Sequence, residues 1–270
     1  MKKGHISVIM ATYNCEKTLK QSIDSILAQT YTDWKFIICD DCSTDHTYQM
    51  LQDYEAQYPD KFLVVKNEVN SKLPYSLNHC LKYADGEFCA RMDGDDYVAP
   101  DRFEKQVAFL REHPEVQLVG CSVQTFDEEN GLGRIIHSEE RPEKLNLLDT
   151  PCFIHAAIMT YTQVYRDVGG YTVSPRTVRS QDYDLWFRFF AKGFCGVNLQ
   201  EPLYFMREDE YAFLRRKPSL YLWLVVTKWK GYRLLKFPIK YYWRILLPIA
   251  ALFRNEIRKI KARRSLKKKL

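Results

Sequence analysis

The sequence predicts an α/β fold built on a mainly parallel sheet. Short apolar, β-branched runs alternate with segments of helical period. Twice a group of aspartates closes such a run, at the edge where open α/β sheets bind ligands. The chain has 270 residues, 46% of them hydrophobic, which is enough for one large domain and an appendage.

The elements follow in order. Residues 5–10 (HISVIM) read as a buried parallel strand. Asn14 or Thr18 can cap a helix whose Leu19, Ile23, Ile26 and Leu27 share one face. Residues 34–39 (WKFIIC) form a second strand, closed by Asp40 and Asp41. A helix over 47–58 stops at Pro59, and 62–66 is a third strand. A helix over 77–84 ends near Gly86, and 87–92 is a fourth strand, closed by Asp93, Asp95 and Asp96. Beyond it lie strand-like 116–123, a polar excursion over 127–141, a strand over 153–160 and a helix over 182–191 that ends at Gly193. Strand-helix alternation of this kind implies right-handed crossovers.

Composition narrows the function. No G-x-G-x-x-G and no P-loop is present, so a metal rather than a glycine loop would have to handle any nucleotide phosphates. The N-terminus has no apolar signal core, so the chain is expected to begin in the cytosol. Eight scattered cysteines, mostly in apolar surroundings, read as reduced and buried thiols. Residues 228–270 hold fifteen Lys and Arg and one acid, Glu256, leaving 25 basic and 33 acidic residues upstream. An acidic body and a basic tail imply two different jobs. Nucleic-acid binding is not expected, since the body is acidic and no such motif is seen.

Asp93-Gly94-Asp95-Asp96 is the sharpest chemical signal. Aspartates beside a diphosphate would repel it unless a hard cation such as Mg²⁺ or Mn²⁺ bridged the two. Gly94 would let the backbone turn and come close to a ligand. An EF-hand reading fails, because Tyr97 stands where an oxygen ligand belongs and Val98 where glycine is required. An Asp-rich surface turn is the plain alternative.

The cluster has company. Residues 7–14 (SVIMATYN), 37–45 (IICDDCSTD), 90–106 (ARMDGDDYVAPDRFEKQ), 169–171 (GGY) and 181–189 (QDYDLWFRF) occur in order. Together they resemble the inverting nucleotide-sugar glycosyltransferases of family two, over roughly residues 5–207. The resemblance implies a GT-A fold, with a nucleotide-binding half over 1–110 and an acceptor-binding half over 111–217; composition adds a C-terminal basic, aromatic-rich helical extension over 218–270. It implies a donor site of Ala11, Tyr13, Asn14, Asp41 and Asp93, with Tyr13 stacking on the nucleobase and Asp41 hydrogen-bonding it. Lys72 and Arg91 are phosphate candidates by sign and location. Asp95 would be the main ligand of Mn²⁺ or Mg²⁺, with Asp93 on the ribose or a metal-bound water and Asp96 in support. Asp182 falls where the family has its catalytic base, against a plain N-cap role.

Three departures stand out. Ala11 replaces a frequent Pro, Gln181 replaces the acid beside the base, and no histidine follows Asp182 to complete the metal site. His155, upstream, reads as a structural histidine. In the tail, Lys and Arg interrupt every apolar run before it reaches the twenty or so residues a spanning helix needs. Its Trp, Tyr and Leu among basic residues suit the face of an anionic membrane. The expectation is therefore a cytoplasmic enzyme held on the inner face of the cell membrane, moving a sugar from a nucleotide-sugar donor, UDP-linked by expectation, to a glycan or lipid-linked acceptor for surface polysaccharide. The alternative is a catalytically silent sugar-nucleotide-binding or scaffold protein on the same fold.

Overall fold

The computed structural model describes residues 1–208, 214 and 217–269, with side chains through 260. The last ten residues, which hold six of the tail's basic side chains, therefore enter only as sequence and backbone.

The N-terminal half follows the sequence closely. Strands β1 (Lys2–Thr12), β2 (Trp34–Asp40), β3 (Phe62–Lys66) and β4 (Gly86–Asp93) are joined by α1 (Leu19–Leu27), α2 (Thr47–Gln57) and α3 (Leu73–Leu81). They lie in the order β3-β2-β1-β4, all parallel. The strands alternate their side chains between two cores. Val8, Met10, Phe36 and Ile38 face one, and Ile9, Ile37 and Cys39 the other. Each fully buried side chain of this size contributes about 1.5–3 kcal/mol. The third helix begins four residues before the expected 77. Pro74 sits in its first turn, where a missing N–H costs nothing.

The second half departs from a parallel sheet. After β5 (Tyr97–Val98) and α4 (Arg102–Glu112), β6 (Leu118–Asp127) runs parallel to β9 (Gly196–Arg207), but β8 (Met159–Tyr161) lies antiparallel between β4 and β6. The polar excursion contains a further strand, β7 (Gly131–Ile136), hairpinned onto β6. Its residues are almost all exposed, which is why no apolar pattern announced it. The strand expected over 153–160 is largely a 3₁₀ turn (His155–Ala157) followed by the short β8. The sheet of nine strands is thus mixed, and mainly parallel only in its N-terminal half.

Helices α5 (Thr162–Asp167) and α6 (Gln181–Ala191) cover the second core. Tail helix α7 (Pro218–Leu234) packs on α6, and a 3₁₀ segment (Ile239–Leu246) leads into α8 (Leu247–Lys269). The α7–α6 contact is close: a Cβ on Gly231 would lie 2.2 Å from the ring of Phe187. Tyr232 is fully buried and donates to the Leu148 carbonyl at 2.9 Å, so it belongs to the core and not to a membrane face. Tyr241 and Tyr242 are partly buried against the same core, whereas Trp223, Trp229 and Trp243 remain exposed. No helix of the described residues is long and apolar enough to cross a membrane.

Candidate active site

The carboxyl ends of β1, β2 and β4 meet at one edge. Strand register places Ala11 opposite both Cys39 and Asp93, and Thr12 opposite Asp40. The chain then leaves β1 through Tyr13 and Asn14. Asn14 adopts φ 55°, and its side-chain oxygen accepts from the Thr44 amide at 2.9 Å. Its own amide donates to Ser43 Oγ at 3.0 Å, so the two strand-end loops are tied together. Tyr13 is left with its ring about half exposed at this edge.

Asp41 is buried, and its carboxylate accepts from Asn67 Nδ2, the Ser71 amide and the Lys72 amide, each at 2.8 Å. In the ligand-free chain it shapes the loop before α3. Lys72 lies in that loop with φ 72° and ψ 161°, a region that residues with a side chain rarely occupy. The Asp41 bond helps hold this strained backbone and leaves the Lys72 side chain exposed. Cys39 and Cys42 are free thiols, so the C-x-x-C spacing makes no bridge.

Asp93, Asp95 and Asp96 each offer a carboxylate oxygen within 4.8 Å of the others. The turn that carries them is clamped from several sides. Thr18 Oγ1 donates to the Gly94 carbonyl at 2.8 Å and Ser22 Oγ to the Asp96 carbonyl at 2.5 Å. Gly94 does not need a left-handed backbone. Its missing Cβ instead makes room for Thr12 and Cys15, the nearest atom being 3.2 Å away. Asp96 is 4% exposed; it accepts from Tyr204 Oη at 2.7 Å and from the Arg207 amide at 2.8 Å. Burial first, and then the charges of Asp93 and Asp95, push its carboxyl up to about 8. A donor set of oxygens only, crowded by like charge, fits a hard divalent cation.

Arg91 is almost fully buried below the cluster, and its guanidinium contacts Asp93. Burial disfavours its charge, but the Asp93 carboxylate outweighs this and holds it protonated. Arg91, a phosphate candidate by sign and location, forms in the ligand-free chain an ion pair that orients Asp93. Two neighbours carried no recognisable sequence signal. Tyr204 bridges the Asp93 amide and the Asp96 carboxylate. Arg207 donates from Nε to the Asp95 carbonyl at 3.0 Å. Both come from β9, more than a hundred residues away, and only the sheet brings them here.

Asp182 is the second residue of α6, and the N-cap is Ser180. Ser180 makes no side-chain cap bond; its hydroxyl donates to the Arg176 carbonyl, while the Asp182 carboxyl accepts from the Tyr183 amide and its own. Burial raises the Asp182 carboxyl above its ordinary value, while its own and the Tyr183 amides, and Arg91, act in the opposite direction. The other acid of this helix is spoken for: Asp184 is paired with Arg176 at 2.6 Å and Arg188 at 2.9 Å, and Thr172 donates to it at 2.6 Å. Among the described residues no cation pairs with Asp182, which lines a cavity of 390 Å³ between α6, α7 and α8. His155 is buried with Nε2 2.7 Å from Tyr171 Oη, and burial and Arg91 depress its basicity, as suits a structural histidine.

Strand-end loops beside an oxygen-only acidic cluster, with a carboxylate on a separate cavity, are the arrangement of a metal-assisted transferase. The sequence profile of glycosyl transferase family 2 matches residues 7–169. EpsE of Bacillus subtilis, a provisionally named glycosyltransferase, is 45% identical over 92% of this chain and 89% of its own length. An Escherichia coli glucosyltransferase, WfaP, which uses UDP-Glc and GlcNAc-diphosphoundecaprenol, is 27% identical over 72% of this chain and 73% of its own length. The crystal structure of S. aureus TarS 1–349 with UDP-GlcNAc superposes with TM-score 0.69, at 18% identity, over 93% of this chain and 81% of that one. The chain belongs to glycosyl transferase family 2 and is a glycosyltransferase with the GT-A fold.

Proposed function

We propose that the protein transfers a sugar, with inversion, from a UDP-sugar to a hydroxyl of a lipid-linked glycan acceptor in surface polysaccharide synthesis. The observation that carries this is Asp182: a half-buried carboxylate in a cavity wall, with no ion-pair partner among the described residues, beside an Asp184 that is ion-paired and unavailable for chemistry. WfaP acts on a UDP-sugar and a diphosphoundecaprenol-linked acceptor, which supports the same pair of substrates here.

Each residue then has a task. Tyr13 offers a face to the nucleobase, and Asp41 and Asn14 hold the loops around it. Lys72 supplies a positive side chain at the same edge. Asp95, the most exposed of the three acids, and Asp93, oriented by Arg91, would hold Mn²⁺ or Mg²⁺, with Asp96 bracing the turn. When bound, the cation neutralises the donor diphosphate and stabilises the departing nucleoside diphosphate. Asp182 takes the proton of the acceptor hydroxyl as that oxygen attacks the anomeric carbon. Its raised affinity for protons, set by burial, suits a base that must hold one during transfer.

The exposed Trp223, Trp229 and Trp243, set among Lys and Arg, support attachment to an anionic membrane face, where the acceptor lipid would reside. Calorimetric titration with UDP tests the donor site. Binding in Mn²⁺ should be lost in EDTA and in Asp95→Ala. Equal affinity with and without the metal would remove the D-x-D assignment.

A further inference from the structure

The cavity beside Asp182 has a composition that the donor site does not explain. Lys228 of α7 lines it and is 2% exposed. Its ammonium donates to the Leu148 carbonyl at 2.9 Å and has no carboxylate within bonding distance among the described residues. An ammonium carries three donors, so a buried one with a single carbonyl partner is incompletely satisfied. Burial lowers its proton affinity to about 8, and Asp149 acts the other way. That aspartate is already taken by Arg244, at 2.5 Å.

Two more cations border the same space: Arg179, just before the α6 N-cap, and Arg254 of α8. Neither has a hydrogen-bond or ion-pair partner among the described residues. The same lining includes the apolar Leu224, Leu247, Pro248 and Ala251; helical spacing puts Leu224 on the face of α7 that carries Lys228, and Leu247 and Ala251 on the face of α8 that carries Arg254. Leu247 is 37% exposed and its helical neighbours Leu246 and Phe253 more so, so the apolar lining continues onto the outer surface of the tail. The cavity lining therefore mixes cations with apolar side chains, and Asp182 is part of it.

We infer that this cavity holds the phosphate head of the lipid-linked acceptor, with Lys228, Arg179 and Arg254 as its cations and the apolar side chains of α7 and α8 receiving the first part of the lipid. The inference rests on the reading of the protein as a lipid-linked-acceptor glycosyltransferase and assigns that substrate to particular residues. The buried Lys228 ammonium has donors left to satisfy, the exposed Arg179 and Arg254 add positive charge at the same cavity, and a diphosphate accepts several such bonds at once. The tail then has a second duty besides membrane contact: it supplies one wall of the acceptor site.

Farnesyl diphosphate, a short isoprenoid diphosphate, is a suitable probe. The titration is run in EDTA, so that the Asp93–Asp96 cluster repels phosphate and leaves the cavity as the favourable place for it. Farnesyl diphosphate should bind, with farnesol and inorganic pyrophosphate each at least about tenfold weaker. The double variant Arg179→Gln/Arg254→Gln should lose about tenfold or more in affinity, and Lys228→Met as much. If Lys228→Met does not fold, the exposed arginines carry the test alone. UDP binding in Mn²⁺ should be unchanged in the double variant, which separates this idea from the donor-site reading. The full chain should sediment with vesicles containing phosphatidylglycerol, and the double variant should do so equally well.

Three results would overturn the inference. They are no binding of farnesyl diphosphate, affinity untouched by the substitutions, and pyrophosphate binding as tightly as the isoprenoid form. Loss of vesicle sedimentation in parallel with loss of farnesyl diphosphate binding would also reject it, in favour of a bulk headgroup contact.

Discussion

The donor edge and the tail side of this molecule are built by different means. At the donor edge, strand register sets Ala11 beside Asp93 and Thr12 beside Asp40, Asp41 follows directly, and side-chain bonds lock the loops between them. Its charge is negative and crowded, calling for a cation. On the tail side, helices α6, α7 and α8 meet across a cavity whose unpaired charges are mostly positive, calling for an anion. Asp182 sits at the junction. On the proposed function, the two substrates would be held by opposite electrostatic logic: the donor's phosphates through a metal, an acceptor phosphate by side chains alone.

The sharpest way to break this comparison is at the junction itself. Asp182→Asn should keep UDP affinity in Mn²⁺ and lose sugar transfer by about a hundredfold or more, the usual scale for a general base. Transfer within a few-fold of the parent, measured as UDP release in the presence of acceptor, would return Asp182 to a structural role. That role would be holding the first-turn amides of α6, since Ser180 makes no side-chain cap bond.

A second substitution attacks only the tail side. Gly231→Ala places a methyl into the Phe187 ring, which is buried and has nowhere to turn. Overpacking of this kind costs about 1–3 kcal/mol. The melting temperature should fall while UDP binding at the far edge survives. An unchanged melting temperature would show that α7 is not docked on α6 as described. The same packing bears on truncation. Removing the chain after 217 would uncover Phe187 and the core around it, so the shortened protein should be less stable than the body's own composition suggests.

The smallest effect is electrostatic. Burial lowers the Lys228 ammonium from 10.5 when free to about 8 in the fold. Between those values the unfolded chain binds the extra proton, so folding stability should rise as pH increases from about 8 to 10.5 through this group. Below about 8 both states are protonated and the charge is simply buried. The difference in denaturant stability between parent and Lys228→Met should therefore depend on pH over that window. A pH-independent difference would mean that the ammonium is better solvated than its surroundings imply.

Much of the donor edge was legible in the amino-acid sequence. Buried parallel strands are runs of apolar residues, and the residue after such a run must lie at the sheet edge, so Asp41, Asp93 and Asp95 could be placed without coordinates. Local order also located α6 and the acid at its start. What the sequence could not determine was which distant groups complete each site. Tyr204 and Arg207 reach the aspartate cluster only because β9 pairs with β5 and β6, and pairing over that separation leaves no local pattern. The exposed β7 has no buried face, so no alternation marks it. In the tail, composition correctly marked charge and aromatics but could not say which faced inward. Tyr232 and Lys228 read like their neighbours Trp229 and Lys230, and only the docking of α7 on α6 buries the first pair and exposes the second. Burial is a property of the partner surface as much as of the residue. That is why the chemistry of single motifs could be read in one dimension, and the sorting of the tail into core, cavity wall and outer surface required three.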